Sequence, residues 1–312
     1  MTQSSSEMTP QADLGEETAE VVVASRLTRT QLVLRRFWRP VGTKIGAIGL
    51  GLVLLLAAIG PLLTPWSFDQ VDVRAFLRPP SADHLLGTTQ GGRDVFAMVI
   101  QGLRRSLVIG FAVAAIQTTL AALIGATAAY FGKVVDRSIL WIIDLLLVIP
   151  SFLIVAVLNT SMRGAGGSLL VLILLLAAFG WMISGRVVRA MTLSVVSLDY
   201  VNAAKYMSVP SWVTITKHVI PNISSYLIID FTLGVVRGIM AETTLSFFGF
   251  GVQPPDTSLG TLLAEGARMA TTAPWVFLAP AFLLVWTLLC VNFLGDSLRD
   301  ALDPSSKSGG RA

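Results

Sequence analysis

The feature that most restricts this chain is a run of uncharged residues, Ile45 to Thr64, followed by further runs of similar length. A helix of roughly 20 apolar residues crosses about 30 Å of hydrocarbon, and a soluble core seldom absorbs several of them. The later runs lie at about 106–131, 138–158, 168–188, 222–248 and 275–295. Inside a bilayer the backbone has no water to bond with, so these segments are predicted as helices rather than open strands. The expectation is an all-α, polytopic membrane protein with about six transmembrane helices. Composition agrees, because 13% of the residues are charged and 54% are hydrophobic, whereas a soluble domain carries about 25% charged residues.

The flanks set an orientation. Residues 1–25 are rich in Ser, Thr and Glu, with Glu7, Asp13, Glu16, Glu17 and Glu20, and read as a disordered acidic tail. Residues 26–44 form a basic segment with Arg26, Arg29, Arg35, Arg36, Arg39 and Lys44 and no acid. A cleaved signal peptide is a rival reading of the first run, but that run starts too late and is too long for one. Basic flanks stay in the cytoplasm, and an even number of spans returns the C-terminus there. Lys133 and Arg137, and then Arg186, Arg189, Lys205 and Lys217, fit inner loops. The outer loops are placed at 65–105 and 249–274. The first of these fits least well, with Arg74, Arg78, Arg93, Arg104 and Arg105. The charged end from Asp296 reads as a short cytoplasmic tail, with 305–312 beyond the membrane domain of 45–304.

Several chemistries lack their residues. Cys290 is the single cysteine, and His84 and His218 are the only histidines. No cluster suits a metal, and both histidines read as structural loop residues. Gly132-Lys133 is followed by Val134, so there is no phosphate loop with a Ser or Thr for magnesium. No nucleophile elbow, no metalloprotease motif and no basic groove with interleaved aromatics appears. The chain is expected to be non-catalytic, with no cofactor of its own and no nucleic-acid partner.

Charges within the apolar runs need partners or water. A central Arg costs about 2.5–3.5 kcal/mol on insertion scales, which makes Arg237 informative. Asp230 is spaced i, i+7 from it, on nearly the same helical face, and Glu242 is a less direct neighbour. Asp144 lies in the third run. Two readings of these residues stand side by side: they line or gate a pathway, or they pair structurally between helices. Gly234 and Gly238 form a G-x-x-x-G step that permits close helix approach, with plain packing as the simpler reading. Pro150 and Pro280 free backbone groups within spans and suit kinks.

The stretch from Ser194 to Asn222 lies between the fourth and fifth runs. It reads as a short helix with Ser197 as its cap and Asp199 in its first turn. Asn202, Ala203, Ala204 and Met207 continue it, and Pro210 stops it. A second amphipathic piece, Trp212 to His218, follows, and Pro221 opens the next span. From pattern alone, such a helix either docks on a partner or rests on the lipid surface.

Asn202-Ala203-Ala204, Ser208 and His218-Val219-Ile220-Pro221-Asn222 resemble the E-A-A-x-x-x-G…H-x-L-P-N loop of binding-protein-dependent ABC importer permeases. Asn202 stands where that family usually has Glu, and Ser208 where it has Gly. His84-Leu85-Leu86-Gly87-Thr88 with Gly92-Arg93-Asp94 resembles a run found in dipeptide, oligopeptide and nickel-type permeases. So do Ala241-Glu242 through Gln253-Pro254-Pro255, and Asn292 through Asp303-Pro304. The first loop and its LGT…GRD run resemble the C-type permease of the pair.

The resemblance implies a type I ABC importer permease fold in a bacterial plasma membrane. It implies that Asp199, Asn202, Ala203, Ala204, Met207, Ser208, His218 and Pro221 belong to a coupling loop that docks on an ATPase. It further implies a homologous second permease, two ATP-binding subunits or one fused ATPase chain, and an extracytoplasmic solute-binding protein. ATP and magnesium would then sit on the partners. Di- or oligopeptides are the implied solute, with nickel chelates as the alternative. A self-sufficient secondary transporter is the reading from another class; no inverted repeat supports it.

Overall fold

The computed structural model describes residues 29–161 and 169–302. The expected tails, 1–25 and 305–312, lie outside the described residues. The elements in chain order are α1 (Arg29–Trp38), α2 (Val41–Ile59), α3 (Val95–Phe131), α4 (Lys133–Val148), α5 (Ser151–Ser161), α6 (Leu169–Gly180), α7 (Met182–Val196), α8 (Asp199–Tyr206), α9 (Ser211–Thr214), a π-helical turn Ile215–Val219, α10 (Ile220–Asn222), α11 (Ser224–Phe247), α12 (Leu259–Ala267) and α13 (Pro274–Leu302). Among the described residues there is no strand, only isolated bridges pairing Val71 with Arg93 and Thr88 with Asp94.

Four helices or helical runs are long and apolar enough to span a bilayer unbroken: Val41–Leu62, α3, α11 and α13. The other two expected spans are each a bent pair. α4 and α5 meet at 79°. The cause is Pro150, which lacks an N–H and pushes Ile149 into extended backbone. α6 and α7 meet at 45° around Trp181. No proline marks that break. Instead Gln117 of α3 donates from Nε2 to the Leu176 carbonyl at 3.1 Å, serving a backbone oxygen near the bend. Pro280, by contrast, lies inside α13 without ending it.

Three expected boundaries move. α3 begins at Val95, so the first outer loop is shorter than 65–105. Arg104 and Arg105 concealed this helical start in the sequence, and Arg105 is accommodated by a 2.8 Å bond to Asp256. Asp94 caps the helix, accepting the Ala97 N–H at 2.7 Å. The charged end after Asp296, read as a short tail, is helical as far as Leu302, where α13 ends, and Ala301 is buried. Finally, 249–274 contains α12, held by a capping box between Ser258 and Thr261.

Small residues set the helix spacing. α3 is the axis and packs against α11, α7, α6 and α12. Where Gly238 of α11 crosses α3, an added Cβ would lie 3.2 Å from the Gly110 carbonyl oxygen. The G-x-x-x-G step is therefore a packing device, with Gly110 and Ala114 as its counterparts. A Cβ on Gly125 would lie 2.5 Å from the Gly185 carbonyl of α7. α2 approaches α13 through Gly46 and Gly49 in the same way, against Cys290.

The contacts sort the connections to two ends of the bundle. At one end Thr43 donates to Ser297 at 2.7 Å, joining the start of α2 to the end of α13. Lys205 of α8 sits over the Tyr130 ring, 4.7 Å from its centroid, near the end of α3. At the other end Trp275 donates from Nε1 to the Thr88 carbonyl at 3.3 Å. His84 is buried there, stacked on Trp66 at 4.8 Å, with Nδ1 2.9 Å from Asp94.

Gly125→Ala is expected to force α3 and α7 apart, costing about 1–3 kcal/mol. Thermal unfolding of the purified protein in detergent, compared with Gly51→Ala, checks this, because a Cβ at Gly51 meets nothing within 4 Å.

Candidate functional site

The segment between α7 and α11 has two faces. Val201, Ala204, Thr214, Ile215 and Val219 are buried. Val201, Ile215 and Val219 join the cluster formed by Ala121, Ala126, Ile143, Met182 and Val188 of the bundle. The opposite face is apolar but exposed: Tyr206 is 88% accessible, Met207 72% and Trp212 59%. Such a patch, beside polar residues and outside the long spans, suits a partner or an interface rather than bulk water.

The expected residues take different parts in this arrangement. Asp199 opens α8, but its N-cap is Leu198, with no side-chain cap. Ser197 is not the cap; its hydroxyl donates to the Ser194 carbonyl at 2.8 Å. Asn202 donates from Nδ2 to the Ser197 carbonyl at 3.4 Å. Ala203 is exposed and Ala204 buried, so the two neighbours are not equivalent. Met207 is the C-cap. His218 packs against Tyr200 with ring centroids 6.3 Å apart, and Tyr200 accepts a bond from Asn222 at 2.8 Å. Pro221 lies in α10, one short step before α11 rather than at its start.

The break after α8 falls at Ser208, not at Pro210. Ser208 has φ of +57°, the left-handed region that favours glycine. This explains physically why a Gly suits the position in the resembled motif. Pro210 instead precedes α9 as its extended N-cap.

The polar residues of the spans fall into three separate groups. Asp230 is buried and accepts from Ser184 of α7 at 2.7 Å, Thr118 of α3 at 3.1 Å and Arg237 at 2.7 Å. The i, i+7 pairing read from the sequence is therefore real, and it ties three helices. Arg237 keeps about half of its side chain accessible, at 49%. It borders a cavity of about 270 Å³ with Gln117, Phe152, Phe179, Thr244 and Leu245.

Glu242 does not join Arg237. It is fully buried and accepts from Ser106 at 3.2 Å and Ser246 at 2.6 Å. Ser106 also accepts the Leu259 N–H at 3.2 Å, and Ser246 the Val252 N–H at 3.0 Å. This network clamps α3, α11 and the start of α12. Asp144 is apart from both groups, exposed and paired with Arg186 of α7.

The sequence reading missed several contributors. Asp136 of α4 accepts from Arg189 of α7 through both oxygens, the second bond being 2.6 Å. Asn159 donates to the Phe250 carbonyl at 2.7 Å. Gln117 and the Ser106 hydroxyl were also overlooked. The Ser258-x-x-Thr261 spacing was a legible helix-start signal for α12; the other partners are too far apart in sequence to be paired by pattern.

Ser208→Gly is expected to leave stability within about 1 kcal/mol, because relief of the left-handed strain is offset by chain entropy. Ser208→Val is expected to cost about 1–2 kcal/mol. Hydrogen exchange of the 199–215 amides reads both: faster exchange for Val, near-wild-type for Gly.

Comparison with known proteins bears on this geometry. The profile of the family described as binding-protein-dependent transport system inner membrane component matches residues 92–308. The N-terminal TM domain of oligopeptide transport permease C matches residues 28–80. The oligopeptide transport system permease protein OppC of Mycobacterium tuberculosis is 48% identical over 90% of this chain and 96% of its own length. The protein of that name from Haemophilus influenzae is 33% identical over 95% of this chain and 96% of its own. The dipeptide transport system permease protein DppC of Alkalihalophilus pseudofirmus is 34% identical over 85% and 87%. The chain is thus a multi-pass helical membrane protein, and it belongs to the family of binding-protein-dependent transport system inner membrane components.

Proposed function

We propose that this chain is one permease subunit of an ATP-driven importer for peptides, forming half of the passage through the membrane. The observation that carries the reading is the 48% identity along 96% of a relative named as an oligopeptide permease. The role is non-catalytic. A homologous second permease would complete the passage. ATP-binding subunits, or one fused ATPase chain, would carry ATP and magnesium. An extracytoplasmic binding protein would deliver the peptide.

The exposed face of Tyr206, Met207 and Trp212 offers the ATPase a surface, and Ala203 lies on the same segment. Both described termini and this segment share one end of the bundle, which would face the cytoplasm. The 63–94 and 249–273 segments share the opposite end, toward the binding protein. ATP binding would favour one of two bundle states by binding it better. Arg237, with its half-free guanidinium on the cavity wall, is the best placed of the four span charges to meet solute. Asp230 and Glu242 hold helices in place, and Asp144 pairs at the periphery.

The test uses the transporter reconstituted with its second permease, ATPase subunits and binding protein. Ala203→Asp, at an exposed position, is expected to reduce binding-protein-stimulated ATP hydrolysis at least about tenfold, since an unpaired charge in an interface costs several kcal/mol. Ala203→Ser should retain it, and the unfolding temperature should not move. Unchanged stimulation in Ala203→Asp would sink the docking role. Separately, Arg237→Met is expected to lower uptake of labelled peptide with assembly intact; equal uptake would remove Arg237 from the passage.

A further inference from the structure

α1 carries a surface to which the proposed coupling and passage roles assign nothing. At 100° per residue Val33, Leu34, Phe37 and Trp38 share one side of the helix, while Gln31, Arg35 and Arg36 share the other. Leu32 is the apolar exception on the basic side. The apolar side is itself divided. Val33 and Phe37 are half-buried where α1 packs on α13. Leu34 and Trp38 are 56% and 45% exposed. Arg39 and Pro40 then break the helix before α2, where Val41 and Ile45 are exposed as well.

Three cations on this surface have no ion pair among the described residues. Arg35 and Lys44 are exposed and Arg36 is half-buried. α2 continues directly as a candidate membrane span through Leu62. A tryptophan at the mouth of a span sits at the boundary between hydrocarbon and headgroups. Cations beside it then lie at the depth of the phosphates.

We propose that α1 and the first turn of α2 form a docking surface for acidic phospholipids of one bilayer leaflet. Leu34 and Trp38 enter the acyl boundary, and Arg35, Arg36 and Lys44 hold the headgroup phosphates. The acidic stretch 1–25 of the same chain is the rival occupant, with five acids and a short apolar run at 21–24; the bilayer is favoured because α2 continues from this surface as a membrane span. The proposal does not depend on which solute the assembly carries.

The probe is phosphatidylglycerol against phosphatidylcholine, titrated onto the whole assembled transporter in detergent and counted by native mass spectrometry. Wild type is expected to prefer phosphatidylglycerol, and high salt is expected to weaken the preference. Replacing Arg35, Arg36 and Lys44 with Gln is expected to weaken phosphatidylglycerol binding about fivefold per cation, roughly a hundredfold together. Replacing the two arginines with Lys should keep the preference. Equal binding of the two lipids by wild type, a salt-independent preference, or an unaltered preference in the Gln variant would each overturn the proposal. So would a preference that emerges only after Glu7, Asp13, Glu16, Glu17 and Glu20 are changed to Gln, because the acidic stretch would then be the occupant.

Discussion

A carboxylate removed from water inside a membrane must be answered from within the protein, and Asp230 is answered from three helices. Thr118, Ser184 and Arg237 all donate to it. Removing one of these donors would leave the buried carboxylate short of a partner. α3, α7 and α11 are therefore held by a polar knot as well as by glycine-permitted contact. Hydrophobic attraction between helices has little force in lipid, which leaves packing and such bonds to decide the arrangement.

Much of the membrane fold can be read from charge-free length, since no other structure uses so many uncharged residues in a row. The runs at 106–131 and 275–295 each lie within a long helix, and the run at 45–64 coincides with the helical span that ends at Leu62. The breaks are less legible. Pro150 advertises one. The bend at Trp181 is marked in the sequence only by Gly180, and its compensation comes from Gln117, far away in sequence. Arg104 and Arg105 read as loop residues by charge alone, yet they lie in α3, where Asp256 receives Arg105.

The candidate site shows the same division. The location of the 197–222 segment follows from pattern and resemblance. What distinguishes Ala203 from Ala204 is burial; Ala204 shares a helix face with Val201, which lies in the cluster with Ile143 and Val188. Sequence spacing groups Glu242 with Arg237 because they share a helix. Three dimensions separate them, since the hydroxyl of Ser106, 136 positions away, takes the glutamate. Local periodicity finds the elements; the assignment of a polar side chain needs its distant partner.

The stretch from Ser211 to Phe247 is helical throughout except at Ile223, a residue buried to 2% accessibility. The exposed piece around Trp212 and the polar span α11 are therefore separated by a single non-helical residue. A displacement near Trp212 has one non-helical residue in which to be absorbed before it reaches α11. At the far end of that helix Glu242 is bonded to Ser106, which also holds the first N–H of α12, so the two ends of the bundle share one short route along the chain.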